Sequence, residues 1–181
     1  EGHVLILCGD IPLIEPETLR RFIAFHEEKQ SLLSVMTTYL ENPFGYGRII
    51  RNPEQRIDRI VEKRDASEEE KSVKEINTGV YLVEAKHLFA LLKKVEPDNA
   101  QGEYYLTDIV SEAVKESLSV EGFVLGDAFQ ATGINTRKEL ARVSGVIRER
   151  IRDDLMNSGV TLIDPAAVYI DAEVRVGPDT I

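Results

Sequence analysis

The 181-residue chain has few of the features that mark several common classes of protein. It has one cysteine, Cys8, and so no internal disulfide, which suits a reducing cytosol and a cytoplasmic location. No apolar run approaches the length of a membrane span, about 18 residues, and no signal peptide is visible. Its net charge is −10, whereas a nucleic-acid groove needs a basic surface. We therefore expect neither membrane nor nucleic acid as a partner, although a metal ion and a few basic side chains can still hold a nucleotide.

Apolar segments of strand type alternate with amphipathic segments of helical type along most of the chain. This alternation predicts an α/β fold, a mixed sheet with helices on both faces. The expected strands are 4–7, 32–38, 47–50, 56–61, 77–83 and 120–125, and the expected helices are 16–29, 87–95, 106–117 and 136–157, with a charged loop or short helix at 65–74.

We expect a first domain over residues 1–135 and a connecting helix over 136–158. The chain enters a core-type strand almost at once and stops within a repeat at Ile181, so we expect it to be a piece of a longer protein.

Residues 159–181 follow a six-residue period. Leu162, Val168 and Val174 form one row of apolar residues, and Ile170 and Val176 form a second. Such spacing is typical of hexapeptide β-helix repeats, and a simple β-hairpin is the alternative. We expect the first coils of a β-helix here.

The segment Cys8-Gly9-Asp10 directly follows the apolar run Val4-Leu5-Ile6-Leu7. This pattern predicts a buried strand and a tight turn that presents one carboxylate at the carboxyl end of the strand, where α/β sheets bind ligands. Asp10 is well placed to hold a divalent cation against a phosphate, because Mg²⁺ prefers carboxylate and phosphate oxygens. The alternative is that Asp10 only begins a turn.

Further candidates lie where polar residues or glycines interrupt the pattern. Gly45 and Gly47 allow a close approach to a ligand, or form a simple turn. Glu62, at a strand end, can accept hydrogen bonds from sugar hydroxyls, or belongs to a solvated run of charges. Asn77 lies in a polar Asn-Thr-Gly interruption of an apolar strand and needs a partner, which points to a ligand or a turn. Asn135 caps the long helix or offers its side-chain oxygen to a metal.

Taken in order, these segments resemble one family. The motifs that carry the resemblance are Leu7-Cys8-Gly9-Asp10-Ile11-Pro12-Leu13, Gly45-Tyr46-Gly47-Arg48, Val61-Glu62, Glu75-Ile76-Asn77-Thr78-Gly79, Gln101-Gly102-Glu103-Tyr104-Tyr105-Leu106-Thr107-Asp108 and Gly133-Ile134-Asn135. Together they are similar to the uridylyltransferase domain of the bifunctional N-acetylglucosamine-1-phosphate uridylyltransferase/glucosamine-1-phosphate acetyltransferase family. Residues 159–165 resemble that family's entry into a left-handed β-helix.

The resemblance covers essentially the whole chain and implies a Rossmann-like nucleotide-diphospho-sugar transferase fold, of which this chain is the sugar-phosphate half. It implies transfer of UMP from UTP to N-acetylglucosamine 1-phosphate, with Mg²⁺ as cofactor and pyrophosphate as the second product. By the same resemblance, Asp10 and Asn135 are the catalytic Mg²⁺ ligands. The implied substrate contacts are Gly9, Gly47, Glu62 and Asn77.

The chain also departs from the family pattern. Cys8 stands where many members of the family have tyrosine. The family's Gly-rich loop that grips the triphosphate, its uracil-binding strand and most of its β-helix have no counterpart in these residues. We therefore expect this chain to be inactive alone. We expect the full-length protein to be a homotrimeric, cytoplasmic enzyme of peptidoglycan and lipopolysaccharide precursor synthesis that can also carry the acetyltransferase. The alternatives are another sugar-1-phosphate nucleotidyltransferase and a non-catalytic subunit that keeps the fold.

Overall fold

The computed structural model describes residues 2–181, which form two compact units. The first unit ends at Ala131 and the second covers Thr132–Ile181, so the division lies slightly before the expected one after Asn135. None of the helices in the described residues is both long and apolar enough to cross a membrane.

A six-stranded mixed sheet forms the centre of the first unit. Its strands are β1 (His3–Ile6), β2 (Leu33–Tyr39), β3 (Arg48–Arg51), β4 (Ile57–Val61), β5 (Glu75–Glu84) and β6 (Val120–Val124). The order is β4-β3-β5-β2-β6, and β1 pairs with the second half of β5. The β2–β6 pair is parallel and the other pairs are antiparallel, which confirms the predicted mixed sheet.

Helices cover both faces of the sheet, as predicted. Those of the first unit are α1 (Pro16–Lys29), α2 (Glu68–Lys71), α3 (Ala85–Leu92) and α4 (Asp108–Lys115). Both α3 and α4 are shorter than predicted. Because successive strand residues point to opposite faces, β2 contributes Val35 to one core and Met36 to the other. The Val35 core contains residues of α3 and α4, whereas Phe22 of α1 packs in the Met36 core.

A buried ion pair ties three strands together. Glu75 of β5 is only 4% exposed, and Arg51 of β3 donates to both of its carboxylate oxygens, each at 2.7 Å. Thr37 of β2 donates to the same carboxylate at 2.8 Å. The two-pronged contact satisfies the buried charge and fixes the register of the first half of β5.

A second polar cluster lies under the end of α1. His26 is 2% exposed, and its Nδ1 shares hydrogen bonds with the hydroxyls of Ser34 at 2.8 Å and Ser31 at 3.1 Å. The ring of His3 on β1 meets the His26 ring edge-on, with 4.8 Å between the ring centres. This cluster joins α1 to β2 through hydrogen bonds and to β1 through the ring contact.

In the second unit, helix α5 (Arg137–Asn157) occupies nearly the predicted range. Its cap is Thr136 rather than Asn135: the Thr136 hydroxyl accepts from the Glu139 amide, and the Glu139 carboxylate accepts from the Thr136 amide. This is a reciprocal capping box. The capping role considered for Asn135 is therefore wrong, although the Asn135 amide also donates to Glu139 at 2.8 Å.

After α5, the structure shows no strand within residues 158–181. This segment has a short 3₁₀ turn at Pro165–Ala167. The two ends of this segment still meet, because the Thr161 amide donates to the Thr180 carbonyl and the Asp179 amide to the Gly159 carbonyl, each at 2.9 Å. Strands of a β-helix are defined by hydrogen bonds between successive coils, and this single meeting of the ends is too brief to define one. The left-handed β-helix stays a prediction.

Candidate functional site

The Cys8-Gly9-Asp10 turn follows β1 and lies beside β5. Ile6 pairs with Tyr81, and two residues later the Cys8 thiol donates to the carbonyl of Gly79 at 3.4 Å. Burial raises the pKa of Cys8 above its ordinary value, and the nearby charge of Asp10 raises it further. Gly9 and Asp10 are both exposed, and a methyl group on Gly9 would meet nothing within 4 Å. The turn therefore presents its backbone and one carboxylate to open space.

The polar interruption in β5 is a bulge with its own internal hydrogen bonds. The register between β2 and β5 shifts here, because Val35 pairs with Tyr81 but Thr37 pairs with Asn77. The Asn77 side chain donates to the Tyr81 hydroxyl at 2.7 Å and accepts from the Gly79 amide at 3.0 Å. The amide is thus held in one orientation by the chain itself, which answers the sequence-based expectation that it needs a partner.

Gly47 joins this bulge to Glu62. Its carbonyl accepts from the Asn77 amide at 3.0 Å. On its other side, a methyl group on Gly47 would lie 3.2 Å from the Glu62 carboxylate and 3.2 Å from the Ile60 side chain. The space where a side chain at position 47 would begin therefore lies next to Glu62 and Ile60, so this position suits glycine.

Glu62 follows β4, and its carboxyl group is largely withdrawn from solvent. Burial raises its pKa above the ordinary value, and the charges of Asp108 and Asp65 raise it further. The Thr107 hydroxyl lowers the pKa of Glu62, and so does the charge of Arg48. A carboxyl group held in this way accepts hydrogen bonds strongly in its charged form and is poised to bind a hydroxyl or amide donor.

A cavity of about 160 Å³ opens beside Glu62. Its polar walls are Glu62, Asp65, Asp98, Asn99, Tyr105 and Asp108. Tyr105 and Thr107 belong to the long Gln101–Asp108 motif. The sequence predicted no role in the site for this motif. The signal for that role, two aromatic residues and a threonine before a helix, is common in proteins and has no specific meaning until the loop is placed.

The buried side chain of Arg48 holds the turn before β3 in place. Arg48 is 3% exposed, and its Nη1 donates to the Tyr46 carbonyl. Its Nε has no hydrogen-bond partner among residues 2–181. Burial lowers the pKa of Arg48, and Glu62 raises it. Lys63 lies over the exposed ring of Phe44, 3.2 Å from the ring centre. These contacts fix the Gly45–Gly47 turn at the edge of the site.

The predicted metal ligands are on different units, Asp10 on the first and Asn135 on the second. Both side chains are exposed, and each offers an oxygen atom of the hard kind that Mg²⁺ prefers. No group of three or more His, Cys, Asp or Glu residues within 2–181 could hold a metal ion. Each of the two donors is of the kind that Mg²⁺ binds, and the magnesium site stays a prediction.

The structure brings three of the six predicted site residues together. The Gly47 carbonyl accepts from the Asn77 amide, and a methyl group on Gly47 would lie 3.2 Å from the Glu62 carboxylate. The Asn77 side chain accepts from the Gly79 amide, and the Gly79 carbonyl accepts from the Cys8 thiol. Cys8 directly precedes Gly9 and Asp10. Tyr81 also belongs to this group, because its hydroxyl accepts from the Asn77 side chain. Burial, and then the charges of Glu62 and Cys8, raise the pKa of Tyr81 strongly. Nothing in the sequence marked Tyr81 as a site residue. It read as an ordinary strand residue.

Comparison with known proteins shows the family of the chain. The bifunctional protein GlmU of Pelotomaculum thermopropionicum is 49% identical over 180 residues, which are 99% of this chain and 39% of that protein. The GlmU of Geobacter metallireducens is 51% identical over 179 residues, 99% of this chain and 38% of that protein. The chain therefore spans about two fifths of the length of these relatives.

A putative glucose-1-phosphate thymidylyltransferase from Bacillus anthracis, solved with sucrose, has the same fold. It aligns with a TM-score of 0.55 at 19% identity, over 82% of this chain and 55% of that one. The sequence profile of the nucleotidyl transferases matches residues 1–133, which include the whole sheet and every predicted site residue except Asn135. Together with the GlmU relatives, this match confirms the predicted resemblance: the chain belongs to the nucleotidyl transferase family.

Proposed function

We propose that the full-length protein containing this chain transfers UMP from UTP to N-acetylglucosamine 1-phosphate and releases pyrophosphate. The observation that carries the proposal is the position of Gly47, which accepts a hydrogen bond from Asn77 and has Glu62 beside the space that a side chain would fill. The turn that bears Asp10 is joined to the same bulge through the contact of Cys8 with Gly79. Membership of the nucleotidyl transferase family and the GlmU relatives support the reaction type.

The chain's own residues supply binding and orientation in this reaction. In this proposal Glu62 and Asn77 bind the sugar, and Tyr81 and Gly79 fix the orientation of the Asn77 amide. The backbone at Gly47 and Gly9 lets the sugar phosphate approach closely. A phosphate oxygen of the sugar phosphate attacks the α-phosphorus of UTP in line, the bond to the β-phosphate oxygen breaks, and pyrophosphate leaves with that electron pair. No protein nucleophile is required, because positioning and charge neutralisation supply the catalysis.

Asp10 and Asn135 would hold the magnesium ion, which when bound neutralises phosphate charge. Asp10 lies at the carboxyl end of β1, two residues from the contact between Cys8 and Gly79. Gly9, one of the proposed sugar-phosphate contacts, lies on the same turn. We further propose a cytoplasmic homotrimer that supplies precursors of peptidoglycan and lipopolysaccharide.

The test is release of pyrophosphate by the purified full-length protein with UTP, N-acetylglucosamine 1-phosphate and Mg²⁺. Glucose 1-phosphate and dTTP serve as competing substrates. The proposal expects the highest kcat/KM with UTP and N-acetylglucosamine 1-phosphate. A clear preference for glucose 1-phosphate would instead assign the protein to another sugar-1-phosphate nucleotidyltransferase, and no transfer with any pair would indicate a non-catalytic subunit.

A further inference from the structure

The loop between α3 and α4 is fastened to the turn that follows β4. The amide of Ala100 donates to the Asp65 carboxylate at 2.8 Å. Arg64 donates to the side chain of Gln101, and Gln101 in turn donates to the Tyr105 hydroxyl at 2.5 Å. Residues two and three positions after Glu62 therefore hold the loop that carries Tyr105.

The loop itself is braced from within by Asn99. Its side-chain oxygen accepts from the amides of Gln101 at 3.1 Å and Glu103 at 3.2 Å, and its side-chain nitrogen donates to the Glu103 carbonyl at 2.5 Å. Gly102 turns the chain with φ +64° and donates to the Asn99 carbonyl at 3.1 Å. Because the loop is a preformed turn, its attachment points decide where its side chains lie.

The attachment brings two walls of the Glu62 cavity together. Glu62 and Asp65 line it from the turn after β4, and Asn99 and Tyr105 line it from the loop. The bond between Asp65 and Ala100 crosses directly from one wall to the other. If that bond is removed, the width of the cavity is no longer fixed by a main-chain contact at this point.

The charge of Asp65 also acts on Glu62. The charged and polar groups that interact electrostatically with the Glu62 carboxyl are Asp65, Asp108, Thr107, Arg48 and Tyr81. After burial, the charges of Asp108 and Asp65 raise the pKa of Glu62, and Thr107 and Arg48 lower it. Removing the charge at position 65 without removing its hydrogen-bonding oxygen should therefore lower the pKa of Glu62 and leave the loop in place.

We propose that Asp65 is a positioning residue for the sugar phosphate: its carboxylate holds the 99–105 loop through the Ala100 amide, so that Tyr105 and Glu62 enclose the same bound group. The proposal rests on the proposed function, in which Glu62 contacts the sugar. Asp65 does not itself touch the reacting phosphates. It acts by fixing the distance between two walls and by placing a negative charge beside Glu62.

The test compares Asp65→Ala with Asp65→Asn in the full-length protein. Asn keeps an oxygen that can accept from Ala100, whereas Ala does not. For Asp65→Ala we expect the KM for N-acetylglucosamine 1-phosphate to rise by about fivefold to tenfold, the effect of one lost hydrogen bond, with little change in the KM for UTP. Asp65→Asn should restore most of this loss, and its acid limb of kcat/KM should move to lower pH.

Asp58→Ala is the matched control, because it removes an aspartate from the same region whose carboxylate pairs with Arg59 instead of the loop. It should leave both KM values near those of the wild type. An equal rise in both KM values for Asp65→Ala, or no rescue by Asp65→Asn, would overturn the proposal. An unmoved acid limb in Asp65→Asn would overturn the electrostatic part of the role.

Hydrogen exchange of the Ala100 amide, measured without substrate, separates this proposal from the proposed function. The amide should lose protection in Asp65→Ala and keep it in Asp65→Asn. Unchanged protection in Asp65→Ala would overturn the proposal. If the wild type rejects N-acetylglucosamine 1-phosphate, the proposed function fails, and the same exchange measurement, with KM values for the sugar phosphate that is accepted, still decides the role of Asp65.

Discussion

Cys8 and Gly79 are packed so closely that position 79 has no room for a side chain. A methyl group on Gly79 would lie 2.4 Å from the Cys8 sulfur and 3.5 Å from its Cβ, and the backbone of Gly79 has φ +80°. The contact joins the turn that bears Asp10 to the bulge that bears Asn77. The close contact of the Cys8 sulfur with Gly79 therefore holds the two parts of the proposed sugar-phosphate site next to each other.

Gly79→Ala should destabilise the protein by about 1–3 kcal/mol, since it adds both backbone strain and a steric clash. Urea unfolding is the measurement. Gly126→Ala is the control, because a methyl group there would meet nothing within 4 Å. In a double-mutant cycle, Cys8→Ala should recover the part of the loss that comes from the sulfur atom; additive losses would show that the contact does not matter.

Asp10→Ala should reduce turnover of the full-length protein by orders of magnitude, because it removes a proposed Mg²⁺ ligand. The fold should be intact, since Asp10 is exposed. Steady-state kinetics over a Mg²⁺ titration, together with circular dichroism, provides the check. Near-normal turnover at saturating Mg²⁺ would contradict the metal assignment.

Glu62→Ala and Asn77→Ala should each raise the KM for N-acetylglucosamine 1-phosphate far more than the KM for UTP, because each removes a proposed hydrogen bond to the sugar. The two variants should differ in stability. Asn77→Ala also strands the buried Tyr81 hydroxyl and the Gly79 amide and should cost about 1–3 kcal/mol. Equal effects on both substrates would argue against sugar recognition.

His26 should make stability depend on pH. Burial, and then the neighbouring His3, lower the pKa of His26 below its ordinary value, and Glu27 opposes them. The unfolded chain therefore takes up this proton at a higher pH than the folded chain. The contribution of neutral His26 to the free energy of unfolding is complete above about pH 6.5. It is lost as the pH falls through that value toward the folded-state pKa. Wild type should lose more unfolding free energy than His26→Gln between about pH 7.5 and pH 5.5, and parallel curves would rule this out.

The 181-residue chain alone should show no uridylyl transfer. It spans about two fifths of the length of its GlmU relatives, and its net charge of −10 repels a nucleoside triphosphate. A pyrophosphate-release assay with UTP, N-acetylglucosamine 1-phosphate and Mg²⁺ tests this, with the full-length protein as the positive control. Measurable transfer by the chain alone would refute it.

The strand pattern was readable from the sequence because buried strands and amphipathic helices have distinct periods. The polar interruption at Asn77 was also readable, but its internal partners were not: Tyr81 and Gly79 become partners of Asn77 only when β5 bulges against β2. The capping box of α5 was present in the sequence as Thr136 and Glu139 and was overlooked in favour of Asn135.

Contacts between distant parts of the chain were beyond prediction. The pair of Arg51 with Glu75 joins two strands of the sheet. The hydrogen bond between Ala100 and Asp65 joins residues that are separated in the sequence by α2, β5 and α3. Nothing in the local sequence indicates which of the many charged residues will pair, since a surface charge and a buried one look alike before the fold is known. For the same reason Asp65 read as part of a solvated charged run.

The position of β5 has a consequence for synthesis on the ribosome. β1 pairs with Tyr81–Glu84, and β2 pairs with residues on both sides of the bulge, so neither gains its β5 partner until this strand has been made. Until then the nascent chain presents two apolar strands with free backbone edges, a state that favours association with other chains. Translation that is arrested before residue 84 should therefore leave nascent chains that depend on chaperones. Translation that is arrested only after β6 has emerged from the ribosome should leave nascent chains with a paired sheet.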